Sequence, residues 1–273
     1  MNSVNLKKDN ERILLVLDLD GTLLTDDKQI TKTTKEYLDM ACKQGVELCF
    51  ATGRNFMTCK DIAIKYDLKV HLICANGAMI KDPFTSKEYY KTTVDWKIAR
   101  KIAKYASRID ALIHIFTEES WFINKLERSA IEFGDKNGIK PKFIKDIKDW
   151  KSLDIIKLVL VDTPQKITQL EEWTLKKRFE IHIIRSDPYS IDITNKEASK
   201  GNGVRRIADL LGIEKENIIA VGNYYNDIDM FKVAKIGIAM GNSPDEVKRK
   251  ADFVVKSNEE DGIVCLVKKF ILK

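Results

Sequence analysis

The sequence predicts an α/β fold, a parallel-sheet core with an α+β segment inserted into it. Three observations carry this. At both ends of the chain, continuous apolar runs alternate with amphipathic stretches, which is the rhythm of βαβ units and of a Rossmann-like parallel sheet. In the middle, apolar and polar residues alternate one by one, as in strands with a single covered face. The length of 273 residues is closer to two domains of ~150 residues than to one. The expected division is 1–83 and 187–273 for the core, with 84–186 inserted as a cap.

The elements follow in order. Residues 13–17, ILLVL, are wholly apolar and read as a strand buried on both faces. Thr31 to Gln44 has helical periodicity and stops at Gly45. VELCFATGR gives a second buried strand, a helix spans about 56–66, and KVHLICANG gives a third strand. In the insertion, ALIHIFTEE, SWFIN, DIIKLVLVD and FEIHIIRSD read as strands, with helices over DWKIARKIAKYASRI and TPQKITQLEEWTLKKRF. The βαβ rhythm then returns: helix GNGVRRIADLLGI, strand NIIAVGN, helix NDIDMFKVA, strand IGIAM, helix PDEVKRKA, short strand ADFVV, and a closing helix from Asp261 to Lys273.

Composition excludes several classes. A hydrophobic content of 44% is too high for a disordered chain. The net charge is +6, with +5 of it in residues 84–190, yet charges of both signs are mixed along the chain. No basic tail for a nucleic acid polymer is expected. No apolar run approaches the ~18 residues of a membrane span, and MNSVNLKKDNER has no signal-peptide character. Five cysteines without a CxxC pair are expected to be reduced thiols, consistent with a cytoplasmic protein. A monomer or weak homo-oligomer is expected.

In an open α/β sheet, ligands bind beyond the carboxyl ends of the strands. The residues at those ends are Asp18, Asp20, Gly21 and Thr22, then Thr52, Gly53 and Arg54, then Asn223, Asn226 and Asp227. Asp18 and Asp20 are two apart, so extended backbone turns both carboxylates to one side. Two carboxylates that close repel unless a cation or a shared proton intervenes, which points to Mg²⁺. Lys200 opens a helix with Gly201 and Gly203, where a positive charge would join N–H groups that favour anions. The P-loop, GxGxxG and GxSxG patterns are absent.

DLDGTLL (18–24), ATGR (51–54), the lysine of SKGNGV (199–204) and VGNYYNDIDM (221–230) resemble, in order and spacing, the four motifs of haloacid dehalogenase-superfamily phosphatases. The tail IGIAMGNSPDEVKRKADFVVKSNEEDG (236–262) and the large insertion resemble the Cof-type branch. The resemblance implies a phosphatase acting on a small phosphorylated metabolite such as a sugar phosphate, nucleotide or flavin precursor. Asp18 would be the nucleophile, forming an aspartyl-phosphate, and Asp20 the general acid and then base. Thr52, Gly53, Lys200 and Asn226 would hold the phosphoryl group. Mg²⁺ would sit among Asp18, Asp20 (through its carbonyl), Asn223 and Asp227.

One position departs from the family pattern. The fourth motif usually begins Gly-Asp, and here it is Gly222-Asn223. An amide oxygen still ligates Mg²⁺ but brings no charge, so weaker metal binding is expected. Two alternatives accompany the phosphatase reading: a phosphotransferase or phosphomutase using the same aspartate, and a non-catalytic binding or regulatory protein with a weakened metal site.

Overall fold

A computed structural model describes residues 12–272. The amino-terminal segment read for a signal peptide falls, but for Arg12, outside them, as does Lys273. The elements are β1 (Ile13–Leu17), α1 (Lys32–Lys43), β2 (Val46–Ala51), α2 (Phe56–Lys65), β3 (Val70–Cys74), β4 (Met79–Lys81), β5 (Glu88–Lys91), α3 (Trp96–Arg108), β6 (Leu112–Phe116), β7 (Trp121–Ile123), α4 (Arg128–Asn137) and β8 (Lys142–Phe143). There follow β9 (Lys157–Val161), α5 (Pro164–Lys176), β10 (Ile181–Asp187), β11 (Ser190–Asn195), α6 (Lys200–Leu211), β12 (Ile218–Gly222), α7 (Ile228–Val233), β13 (Ile236–Ala239), α8 (Asp245–Lys248), β14 (Phe253–Val254) and α9 (Gly262–Phe270).

The core sheet has the order β14-β13-β12-β1-β2-β3-β4-β5, parallel from β14 to β3 and closed by the antiparallel β4 and β5. β1 shows why its five residues are all apolar. Ile13, Leu15 and Leu17 pack with α1, α2 and α9, while Leu14 and Val16 pack with α6, α7 and α8 on the opposite face. Each such side chain contributes about 1.5–3 kcal/mol when fully buried, so a polar residue at any of the five positions would have no water to face. Thr31 caps α1 and Asn55 caps α2, each side chain accepting an N–H three residues on.

The second sheet runs β10-β11-β9-β6-β7-β8 and is antiparallel except for β7 with β8. Its strands alternate with period two. Ile113, Ile115, Leu158, Leu160, Ile191 and Ile193 pack against α3 and α5. The intervening residues, among them His114, Phe116, Lys157, Val159 and Asp192, point the other way, into a cleft shared with the core.

The two sheets do not follow the expected limits of 84 and 186. β5 lies in the core sheet, where Tyr90 packs on the second core face and carries the Arg206 guanidinium 3.8 Å over its ring. At the other end, β10 and β11 both belong to the inserted sheet, because Ile191 and Ile193 complete its apolar face. The segment 190–195 was not expected as a strand. The chain leaves and re-enters the core at neighbouring points, tied by the Asn195 Nδ2 bond to the Thr93 carbonyl at 2.8 Å.

Candidate active site

The carboxyl ends of β1, β2 and β12 meet at one place, as parallel register requires. Leu17 stands beside Phe50 and Val221, so the residues that follow each strand are brought together. Asp18 continues β1 by donating its N–H to the Val221 carbonyl at 2.9 Å. Lys200, the first residue of α6, buries its whole side chain at 1% exposure. Its Nζ donates to Asp18 Oδ1 at 2.7 Å and to Asp227 Oδ1 at 2.6 Å. Two carboxylates thus share one ammonium out of water. Burial pushes the Asp18 carboxyl up, against the pull of Lys200 and with the help of Asp227, to about 7. Burial alone would lower the Lys200 pKa, but the two carboxylates raise it above the ordinary lysine value.

Both oxygens of Asp227 are engaged. Oδ1 takes the lysine proton, and Oδ2 accepts the N–H groups of Asn223 and Tyr224 at 2.8 and 2.9 Å. In this arrangement Asp227 fixes Lys200 and the backbone of the fourth motif, and its expected part in holding a cation, directly or through a bound water, would be played from these contacts. Gly222 makes room for this. A Cβ built on it would lie 2.4 Å from both Cβ and Cγ of Asp227. Gly222→Ala is expected to cost about 1–3 kcal/mol of stability and to dislodge Asp227. Thermal unfolding together with the Asp227 contacts in a crystal structure of the variant would check it, and an unmoved Asp227 would refute it.

Asp20 faces the same cleft but has other partners. Arg54 forks its carboxylate through Nε at 2.7 Å and Nη2 at 2.6 Å, and Lys28 Nζ approaches at 3.0 Å. Burial works to raise its pKa, but the Arg54 fork and then Lys28 outweigh it and hold the carboxyl at about 2. Asp20 is therefore ionised here and, so clamped, a weak base. To donate a proton it must first leave the Arg54–Lys28 clamp.

Thr52 is buried, its Oγ1 accepting the Arg54 N–H at 3.1 Å. Gly53 and Asn226 line the cleft beside it. Asn226 Nδ2 is engaged with Asn76 Oδ1 at 3.0 Å, and Asn76 holds left-handed backbone at φ 54. The next residue, Gly77, has φ +96, and a Cβ on it would lie 2.1 Å from the Ser199 carbonyl oxygen. This close approach lets the turn after β3 touch the start of α6.

The Asn223 amide end lies 3.3 Å from Asp18 Oδ2, 3.3 Å from Thr22 Oγ1 and 3.1 Å from the Asp20 carbonyl oxygen. With its nitrogen turned inward, the two Asn223 amide protons have these three acceptors within reach. With its oxygen turned inward, a carboxylate, a peptide carbonyl and an amide oxygen converge. That set of hard oxygen donors fits Mg²⁺, which takes one or two carboxylates and keeps several waters. Among the described residues, no three His, Cys, Asp or Glu side chains gather as a metal cluster, so any divalent cation here relies on the carbonyl and amide.

The cleft measures about 570 Å³ and runs from Asp18 and Asp20 to His114, Phe116, Phe133, Lys157 and Asp192 of the insertion. His114 Nδ1 accepts the Trp121 indole N–H at 3.0 Å, and burial, with Lys157 nearby, lowers its pKa to about 4. It stays neutral and presents an aromatic surface. Lys157 and Asp192 went unnoticed in the sequence reading, although each is a charged residue at alternating register within an apolar strand.

A parallel α/β sandwich with a second sheet folded over its strand ends is the architecture of a capped hydrolase. The chain belongs to the haloacid dehalogenase-like hydrolase family, which matches residues 15–266. It is similar to the 5-amino-6-(5-phospho-D-ribitylamino)uracil phosphatase YcsE of Bacillus subtilis, 28% identical over 267 residues that cover 97% of this chain and 98% of the relative. It is also similar to the putative phosphatase YxeH of Bacillus subtilis, 26% identical over 265 residues, covering 95% and 98%. Among solved structures, the subclass IIB sugar phosphatase BT4131 superposes with a TM-score of 0.83 at 25% identity, covering 94% of this chain and 98% of that one. The Cof-type phosphatase resemblance carried by the motifs agrees with these relatives. No helix among the described residues is long and apolar enough to cross a membrane.

Proposed function

We propose that the protein is a Mg²⁺-dependent phosphatase that hydrolyses small phosphomonoesters through an aspartyl-phosphate on Asp18. One observation carries the reading: Asp18 Oδ1 is held by the buried Lys200, while Oδ2 stands beside Asn223 at the head of a closed-over cleft. Lys200 steers the carboxylate and neutralises the phosphoryl oxygens. The Thr52 hydroxyl and the Gly53 N–H bind those oxygens, with Asn226 alongside. The carboxylate of Asp18, the Asp20 carbonyl and Asn223 would hold Mg²⁺. When bound, the metal supplies positive charge that favours the ionised nucleophile and offsets charge on the transferring group. Asp20, released from Arg54 and protonated from solvent, gives that proton to the leaving oxygen and then, as a carboxylate again, takes one from the attacking water.

The cleft volume suits a metabolite rather than a protein. Its aromatic and charged inner wall supports a leaving group with both apolar and polar faces, such as a sugar or flavin-precursor phosphate. The relatives named for a ribitylaminouracil phosphate and for sugar phosphates support the same range. The five unpaired cysteines support a reducing, cytoplasmic setting. The two lobes, roughly 12–91 with 196–272 and 92–195, are taken as catalytic core and specificity cap.

Phosphate release from a panel of phosphorylated metabolites, with Mg²⁺ and with chelator, tests the reading. Activity that survives chelation unchanged would remove the metal from it. Asn223→Asp is expected to tighten Mg²⁺ binding about tenfold, by adding a formal charge to the donor set. Calorimetric titration measures this, and equal affinities would refute the inferred role of Asn223.

A further inference from the structure

Thr52, Gly53 and Arg54 form a turn whose three successive carbonyls are each held by a different donor. Thr52 O accepts the Asn76 N–H at 2.9 Å, and Arg54 O accepts the Ala75 N–H at 2.7 Å. Both donors belong to the core. Gly53 O, between them, accepts from Lys157 Nζ at 2.8 Å, and Lys157 arrives from β9 of the inserted sheet. The Gly53–Arg54 peptide is therefore gripped at both ends, its oxygen by Lys157 and its N–H by Thr52 Oγ1 at 3.1 Å. A hydroxyl has one proton to donate. With Arg54 N–H already donating to Oγ1, the Thr52 proton is left for another acceptor in the cleft.

Lys157 is itself held. Its Nζ donates to Asp192 Oδ2 at 2.9 Å, and Asn76 Nδ2 donates to the same oxygen at 3.1 Å. The Lys157 and Asp192 side chains are each 9% exposed. A buried ion pair is commonly no more stable than apolar side chains of the same volume, and apolar neighbours fill the rest of β9. Stability alone does not account for the pair.

We propose that Lys157 is a positioning residue for the phosphate-binding turn, delivered by the inserted domain to set the Gly53–Arg54 peptide plane and, through it, the Thr52 hydroxyl. The turn then reaches its binding geometry only while the insertion is docked on the core. Because Asp192 cancels its charge, Lys157 acts by orientation, where Lys200 acts by charge. This inference rests on the phosphatase reading, in which Thr52 and Gly53 bind the phosphoryl oxygens.

Calorimetric titration with inorganic phosphate in Mg²⁺ buffer, beside steady-state kinetics on a substrate from the panel, tests it. Lys157→Met is expected to weaken phosphate binding and to raise KM about tenfold, with a smaller change in kcat. Lys157→Arg, still a donor to the Gly53 carbonyl, is expected to restore most of the loss. A folded Lys157→Met protein that binds phosphate as tightly as wild type would overturn the proposal. If that variant does not fold, the double change Lys157→Met with Asp192→Asn leaves no unpaired buried charge, and the same result is expected of it. Failure of the phosphatase reading looks different. Wild-type protein that binds phosphate without turnover ends the hydrolysis reading while the effect of Lys157 on affinity still decides the proposal. Wild-type protein that binds no phosphate overturns both.

Discussion

Lys200→Met is expected to lower the free energy of unfolding by about 3–5 kcal/mol, the range for breaking a buried ion pair from one side. Methionine fills much of the space of the lysine stem. It cannot donate to Asp18 Oδ1 and Asp227 Oδ1, which the ammonium meets at 2.7 and 2.6 Å. Two carboxylates are then left facing each other without a cation, in a place with almost no access to water. Adding Asp18→Asn to the variant removes one of them, so the double variant should recover part of the loss. Denaturant unfolding of the metal-free proteins measures both differences. A Lys200→Met loss below about 1 kcal/mol would mean that Lys200 does not carry the pair.

Asp18→Asn alone is expected to slow phosphate release by on the order of 10⁴-fold, the scale for removing a covalent nucleophile. The amide has no charged oxygen with which to attack phosphorus. Its oxygen still accepts from Lys200, and Lys200 still pairs with Asp227, so the fold should persist within about 1 kcal/mol. The loss would then be chemical, not structural. Equal rates for variant and wild type, assayed at the same purity, would end the assignment of Asp18 as nucleophile.

Both predictions rest on residues that sequence alone makes visible. Asp18, Thr52 and Lys200 are legible because parallel strands put their carboxyl ends together, so a polar residue after each apolar run marks a common site. The core strands are legible because short, wholly apolar runs such as ILLVL, bounded by turn residues and alternating with amphipathic helical stretches, mark strands buried on both faces. What sequence does not carry is the direction of a side chain. Asp227 reads as a metal donor, and nothing in the sequence marks it as a lysine partner. That partnership depends on where its oxygens meet Lys200, 27 residues away. Asp20 likewise looks like a second cation donor until Arg54 and Lys28 are found on its carboxylate.

The insertion is harder to read, for a different reason. Its strands have one apolar face, so Lys157 and Asp192 look like ordinary outward residues. Only the docking of the second sheet on the core turns outward into inward. The limits of the insertion blur for a similar cause. β5 is short, β11 mixes polar residues among its apolar ones, and each is fixed by its hydrogen-bonded neighbours.

The pairing of β1 with β12 has a consequence for how the chain is made. Leu14 stands opposite Ile218, so the central strand waits for a partner synthesised about 200 residues later. At synthesis rates of ~5–20 residues per second, that is roughly 10–40 s. Throughout this interval one edge of ILLVL is open, and an open apolar edge invites pairing with other chains. The strands of the inserted sheet all lie between Leu112 and Asn195, so that sheet can be completed while β1 still waits. The lobe that carries Asp18 is begun before the inserted sheet and finished after it.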